Sequence, residues 1–256
     1  MNIKIECNRE IAIDSPDHLH PAGTKRDNSI NLRFNDKLNR LFAREEGLLK
    51  ILDVGCAGGG FVKSCFDDGN LAVGLEGSDY SKKVKRAEWR TIPEYLFTCD
   101  ITKDFKLFND NNPMKFDVIT SWEVFEHIKE EDLKNLISNL MKHLDKNGLL
   151  IFSISTNTSN MGGVELHQTV KPEVWWRNKF RDFGLTIRDD LKIWFNKNFV
   201  RGESRKYEGS FNIILSSKNN NISPPIRSWK LKLGEWWERS KFRKFLETIV
   251  LGEIRY

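Results

Sequence analysis

Cysteine is scarce in this 256-residue chain. Cys7, Cys56, Cys65 and Cys99 are scattered, with no CxxC pair and no histidine at ligand spacing. That pattern argues against a structural zinc site or a disulfide framework and predicts reduced, mostly buried thiols. Long apolar runs are missing too: nothing approaches the ~20 residues needed to span a bilayer. The opening residues, MNIKIECNRE, lack the apolar core and small-residue cleavage site of a signal peptide, so a cytoplasmic protein is expected. Nor is there a strong charge of one sign. Of the formal +5, the stretch from Ser223 carries eight bases against four acids, leaving the body nearly neutral. A neutral body argues against dedicated nucleic-acid binding, which needs a broad basic face.

What remains is an ordinary globular composition, 39% hydrophobic and 30% charged. From Leu48 the chain alternates strand and helix patterns. LLKILDV, LAVGLEG, YLFTCD, FDVITSW and GLLIFSIS read as strands. GGFVKSCFDDG, SDYSKKVKRAEW (opened by Ser78), KEEDLKNLISNLMKHLDKNG (closed by Gly148) and PEVWWRNKFRDFG read as helices. LTIRDDLKIWF and SFNIILSSK form a last pair of strands with no helix between. The expected fold is α/β: a Rossmann-like, seven-stranded, mostly parallel sheet with an antiparallel terminal hairpin and helices on both faces. Residues 1–47 read as an N-terminal cap, with a loop from Ile11 to Ser29 and a helix over Asn31–Glu46 marked by Leu32, Leu38, Leu41 and Phe42. Residues 48–217 form the core domain. Residues 218–256 form a linker and a basic, Trp-rich helical tail.

Chemistry concentrates at ILDVGCAGGG. Glycines there let a ligand approach the backbone, and the helix that follows offers free N–H groups. No GK[ST] follows, so triphosphate binding is poorly supported. Gly55, Ala57 and Gly60 fit a loose GxGxxG, which leaves a dinucleotide or another adenosine ligand open. Glu76, about 20 residues on, is placed to accept from a ribose diol. Asp100 ends the next strand, where it can accept from an adenine amino group. With Asp53 they make three acids at three consecutive strand ends.

ILDVGCAGGG, VGLEGS, FTCD, FDVITSWEVFEHI and NGLLIFSIS, in this order, resemble the class I S-adenosylmethionine-dependent methyltransferases. The resemblance implies S-adenosyl-L-methionine as cofactor, with Asp53, Gly55, Cys56, Ala57 and Gly59 around its methionine part. It also implies Glu76 and Gly77 at the ribose, Asp100 and Ile101 at the adenine, and Ser121, Trp122 and Glu123 along its flank. Members usually carry glycine where this chain has Ala57. His127, beside Glu126, and His167, in the loop after the fifth strand, are the candidate acid–base groups. The entry segment DSPDHLHPAGTKRDNSINLRFNDKL resembles methyltransferases of glycan and lipopolysaccharide biosynthesis. That second resemblance places Asp14, His18 and His20 in a cap over the substrate, binding sugar hydroxyls or Mg²⁺. The leading expectation is O-methylation of a sugar hydroxyl in a glycan or glycolipid. Methylation of another small molecule, a protein or RNA stays open, as does a non-catalytic partner subunit. The tail, with Trp229, Trp236 and Trp237 among bases, is expected to touch a membrane face or a partner protein.

Overall fold

A segment as uniformly apolar as ILDV needs cover on both faces, and in the computed structural model of the chain it lies inside a seven-stranded sheet. The structure describes residues 2–42, 48–203 and 209–225. Met1–Ser223 forms one unit, treated below. The helical tail expected over residues 226–256 lies outside the described residues.

In chain order the elements begin with β1 (Ile3–Cys7), α1 (Pro16–Leu19), α2 (Ala22–Arg26) and α3 (Leu32–Phe42). The first half of the sheet follows as β2 (Lys50–Val54), α4 (Gly60–Asp67), β3 (Leu71–Glu76), α5 (Tyr80–Lys83) and β4 (Leu96–Thr98). Next come β5 (Phe105–Asn109), β6 (Asn112–Pro113), β7 (Phe116–Trp122), α6 (Leu133–His143) and β8 (Leu144–Ser155). The chain ends through β9 (Asn160–Met161), β10 (Val164–Glu165), α7 (Glu173–Asp182), β11 (Thr186–Ile187), α8 (Asp189–Phe195) and β12 (Ser210–Ser216).

The main sheet has the order β11-β12-β8-β7-β2-β3-β4. Strands β4 to β8 in that row are parallel, and β12 and β11 run antiparallel at the far edge. The expected Rossmann-like sheet is therefore present. The chain leaves β2 towards β3 and β4, then returns to lay β7 on the other side of β2. That reversal opens a crevice at the carboxyl ends of β2 and β7, where α/β sheets bind ligands.

Several local expectations are corrected. The segment from Ile11 to Ser29 is no simple loop: it holds α1, capped by the Ser15 hydroxyl, and α2. Ahead of it, β1 pairs antiparallel with β5, and β6 completes a small second sheet. Leu32 is 60% exposed, and Phe34 takes its place on the buried face of α3, packed on Trp122 and Phe195. SDYSKKVKRAEW yields only the four residues of α5 and the start of a 3-10 turn at Ala87. Lys85 and Ala87 turn to positive φ, because Arg86 donates to the Asp27 carbonyl and Trp89 to the Ala57 carbonyl. Those tertiary bonds outweigh helix propensity. Helix α6 stops at His143 rather than Gly148, since Leu144 already pairs with Phe116 in the sheet. In LTIRDDLKIWF only Thr186–Ile187 is strand. Leu191, Trp194 and Phe195 recur at helical spacing and bury one face of α8, so a helix does separate the last two strands. Among the described residues no helix is long and apolar enough to cross a membrane.

Candidate functional site

The turn after β2 is built from close approaches. Gly55 has φ +81°, and a Cβ there would lie 2.3 Å from Val124 Cγ2. Its N–H and that of Cys56 both donate to the Leu75 carbonyl, at 2.8 and 3.0 Å. Ala57 is also left-handed, at φ +45°, a region that favours glycine. Its N–H donates to Glu76 Oε2 at 2.8 Å. Gly59, at φ +85°, then opens α4. The glycine loop and the acid of β3 are thus tied together by a hydrogen bond.

Glu76 is 7% exposed, and its other oxygen accepts from the Ser78 N–H at 3.1 Å and the Thr24 hydroxyl at 3.4 Å. Burial pushes its carboxyl up, against these donors. Asp100 ends β4's loop in contact with Arg9 and Thr102. Asp53 faces the other way: Thr120 Oγ1 donates to it at 2.6 Å, and burial raises it to about 7.

Past β7 the backbone turns left-handed again at Glu123, φ +57°. Glu123 accepts from Arg201 at 2.6 Å and from the Ser210 hydroxyl at 2.9 Å, and Arg201 reaches Asp27 at 3.1 Å. Glu126 is fully buried. One oxygen accepts from the Ser155 N–H at 3.0 Å, the other has no partner, and burial lifts the carboxyl to about 7. His127 forms an ion pair through Nδ1 with Asp17 of α1. Burial pulls its pKa down, but the Asp17 bond and charge, the Glu126 charge and a bond to the Leu166 carbonyl leave it raised. His167 meets His127 edge to face, ring centres 4.5 Å apart. Its Nδ1 contacts the Asn157 carbonyl, and burial with the His127 charge lowers its pKa.

These groups surround one cleft of about 810 Å³. Of the residues singled out from sequence, Gly55, Ala57, Glu76, Gly77, Asp100, Ile101, Trp122 and Glu123 line it, as do Asp14, His18, Glu126, His127 and His167. Asp53, Cys56, Gly59, Ser121 and His20 lie off its wall. Sequence reasoning passed over Arg9, Asp17, Thr24, Asp27 and Arg201. Asp17 stood inside the quoted cap segment, but nothing in its spacing tied it to His127, 110 residues on. The volume sits high in the range of about 300–1,000 Å³ usual for ligand sites, enough for a cofactor and an acceptor together. Glu76 is buried in its wall at the tip of β3. A Cβ on Gly77 would meet only Ala12 there, at 3.4 Å. Glu126, His127 and His167 bring one donor atom each within 4.8 Å of one another. Two imidazoles and one carboxylate suit transition ions; Mg²⁺ prefers oxygens, so it fits this cluster poorly.

The comparisons agree with this geometry. A family model described as a methyltransferase domain matches residues 26–216. The ubiquinone biosynthesis O-methyltransferase of Vibrio atlanticus (strain LGP32) is 30% identical over 122 residues, 46% of this chain and 48% of that protein. Its namesake from Glaesserella parasuis serovar 5 is 31% identical over 135 residues, 52% of this chain and 54% of that protein. The chain spans about half the length of these curated relatives. Among solved structures, an S-adenosylmethionine-dependent methyltransferase from Clostridium acetobutylicum matches with TM-score 0.54 and 16% identity, over 78% of this chain and 97% of that one. PKMT2 from Rickettsia typhi, in complex with AdoHcy, matches with TM-score 0.52 and 15% identity, over 76% of this chain and 54% of that one. At such identities the structural matches show the fold: that of S-adenosylmethionine-dependent methyltransferases. With the family model covering most of its length, the chain belongs to the methyltransferase-domain family.

Proposed function

We propose that the protein transfers a methyl group from S-adenosylmethionine to a hydroxyl of a small acceptor, with His167 as general base. The observation that carries this reading is the state of His167. A carbonyl can only accept, so the contact with Asn157 puts the proton on Nδ1 and leaves the Nε2 lone pair open. Its lowered pKa keeps the ring neutral at pH 7. His127 is the poorer candidate by the same logic, since Asp17 and the Leu166 carbonyl favour its protonated form.

S-adenosylmethionine, when bound, supplies a methyl on a sulfonium centre that an aligned lone pair can take. The backbone of Gly55 and Ala57 would border its methionine part, and Glu76 would hold the ribose. Trp122 and Glu123 would flank it. The protein's own work is to align the hydroxyl, exclude water and remove one proton. The cap residues Asp14, Asp17 and His18 wall the cleft and serve that exclusion.

The relatives' name, O-methylation in ubiquinone biosynthesis, supports a ring hydroxyl as acceptor. So does base strength: a phenol titrates near ~10, as tyrosine does, within reach of a weakly basic histidine. A sugar hydroxyl, the acceptor expected from sequence, holds its proton more tightly. It stands second, supported by the polar rim of Asp14, Asp17, His18, Glu131 and Asp132. Mg²⁺ enters no step here. The test is turnover of methyl-labelled S-adenosylmethionine against phenols, catechols, sugars and glycans, with and without Mg²⁺. Label in a phenolic ether, lost in His167→Gln, is the expected result. Cofactor binding without transfer to any hydroxyl would overturn the proposal in favour of a non-catalytic role.

A further inference from the structure

Arg201 lies in the connection between α8 and β12, and the chain around it is clamped. Asn212, 1% exposed in β12, donates through Nδ2 to the Arg201 carbonyl at 2.8 Å and accepts from the Glu203 N–H at 3.1 Å. Between those two bonds Gly202 has φ +111°, and a Cβ there would lie 2.8 Å from Ser153 Cβ. The Ser153 carbonyl in turn takes the Glu123 N–H at 2.9 Å. Arg201 and Glu123 are therefore fixed against the same residue of β8.

From this footing the guanidinium spans two acids. Nη2 meets Glu123 Oε2 at 2.6 Å, and Nη1 meets Asp27 Oδ2 at 3.1 Å. Asp27 belongs to the cap: it follows α2, and its carbonyl accepts from the Gly58 N–H at 3.2 Å and from Arg86. Glu123 belongs to the turn after β7 and is held left-handed, where a residue with a side chain is strained. Its other oxygen accepts from the Ser210 hydroxyl. Single exposed ion pairs contribute little, but a planar fork bonded to two acids on a clamped backbone loses little freedom in keeping its geometry.

The turn that Glu123 opens carries the proposed chemistry. The His127 N–H donates to the Val124 carbonyl at 2.9 Å. The Glu126 carbonyl accepts from the N–H groups of Gln168 at 2.7 Å and Thr169 at 2.9 Å, so the segment that presents His167 hangs from this turn. A route of bonds thus runs from Arg201 through Glu123 to both histidines.

We propose that Arg201 is a positioning residue for methyl transfer: through Glu123 it holds the turn after β7, and with it the place of His167, under the cap. The proposal rests on the reading of His167 as general base and deepens it.

Histidine-ring NMR on the full chain measures this coupling without cofactor or acceptor. Arg201→Ala should move the ring signals of His127 and His167. It should leave that of His143, which stacks on Phe105 and accepts from the Leu107 N–H. Glu123→Ala should move the same two rings, and the double variant no further, since both residues act on one route. Ethylguanidinium, at concentrations too low to unfold the chain, should return the Arg201→Ala signals towards wild type. Arg201→Lys keeps the charge but loses the fork, and should also move both rings. It decides the matter should Arg201→Ala fail to fold. Unmoved His127 and His167 rings in either folded variant would overturn the proposal and leave the base reading standing. So would a His143 signal that moves with them, the mark of a general loosening of the fold. Full methyl transfer by His167→Gln would remove the base reading itself, and this inference with it.

Discussion

His127 and His167 meet edge to face at 4.5 Å, one ring pushed up in pKa and the other down. Burial lowers both rings, but Asp17 bonds the first and reaches the second only through its charge. Positive charge on His127 disfavours a proton on the neighbouring His167 ring. His167→Gln should therefore lower kcat by about 10²–10⁴, the usual worth of a general base. Binding of S-adenosylhomocysteine should stay within twofold. Equal activity in the variant would remove His167 from the reaction.

Asp17→Asn should uncouple α1 from His127. A histidine with a raised folded pKa contributes stability that is full below its unfolded value and fades as pH rises through the folded one. The variant should thus be less stable than wild type at pH 6, by about 1–3 kcal/mol, the worth of a hydrogen bond to a charged group. The gap should narrow by pH 9. Urea unfolding at both values reads this directly, and a constant gap would contradict it.

Glu126 gives the same pH trend by another route. Its carboxyl is raised to about 7 by burial, so the folded state holds its proton more tightly than the unfolded chain does. Stability therefore falls as pH rises from about 4.5 to 7, by on the order of 3 kcal/mol for this group alone. Glu126→Gln keeps an oxygen for the Ser155 N–H and cannot ionise. It should be more stable than wild type at pH 8 and nearly equal at pH 5.

The two small residues of the glycine loop should respond in opposite directions. Ala57→Gly relieves a left-handed alanine, worth about 1–2 kcal/mol, against about 0.5–1 kcal/mol of added chain entropy. The melting temperature should hold or rise slightly. Gly55→Ala adds both a left-handed strain and a methyl 2.3 Å from Val124, costing about 2 kcal/mol or more. A fall in Ala57→Gly larger than that in Gly55→Ala would show the loop is held otherwise.

Much of this was legible in advance, for physical reasons. Buried parallel strands such as ILDV are continuous apolar runs, and the acids at their ends follow the chain order, so the sheet and the Glu76 position could be read. The failures share a different cause. Whether SDYSKKVKRAEW stays helical depends on Arg86 and Trp89 finding carbonyls in distant loops. Whether Leu144 starts a strand depends on Phe116. The cap was hardest, because Arg9 and Asp17 gain meaning only against Asp100 and His127. No periodicity announces such pairs.

Strand β1 has a consequence for the order in which the molecule is assembled. Ile3 pairs with Asn109 and Cys7 with Phe105, so β1 waits for a partner about a hundred residues further along the chain. Contacts of such sequence separation are late and slow to form. Until they close, the sheet around β2 and β3 can be complete while the outer wall of the cleft is still missing. Strand β1 is thus late to find its place, and the capacity to hold a ligand should appear in refolding as a distinct, slower phase than the gain of strand and helix signal.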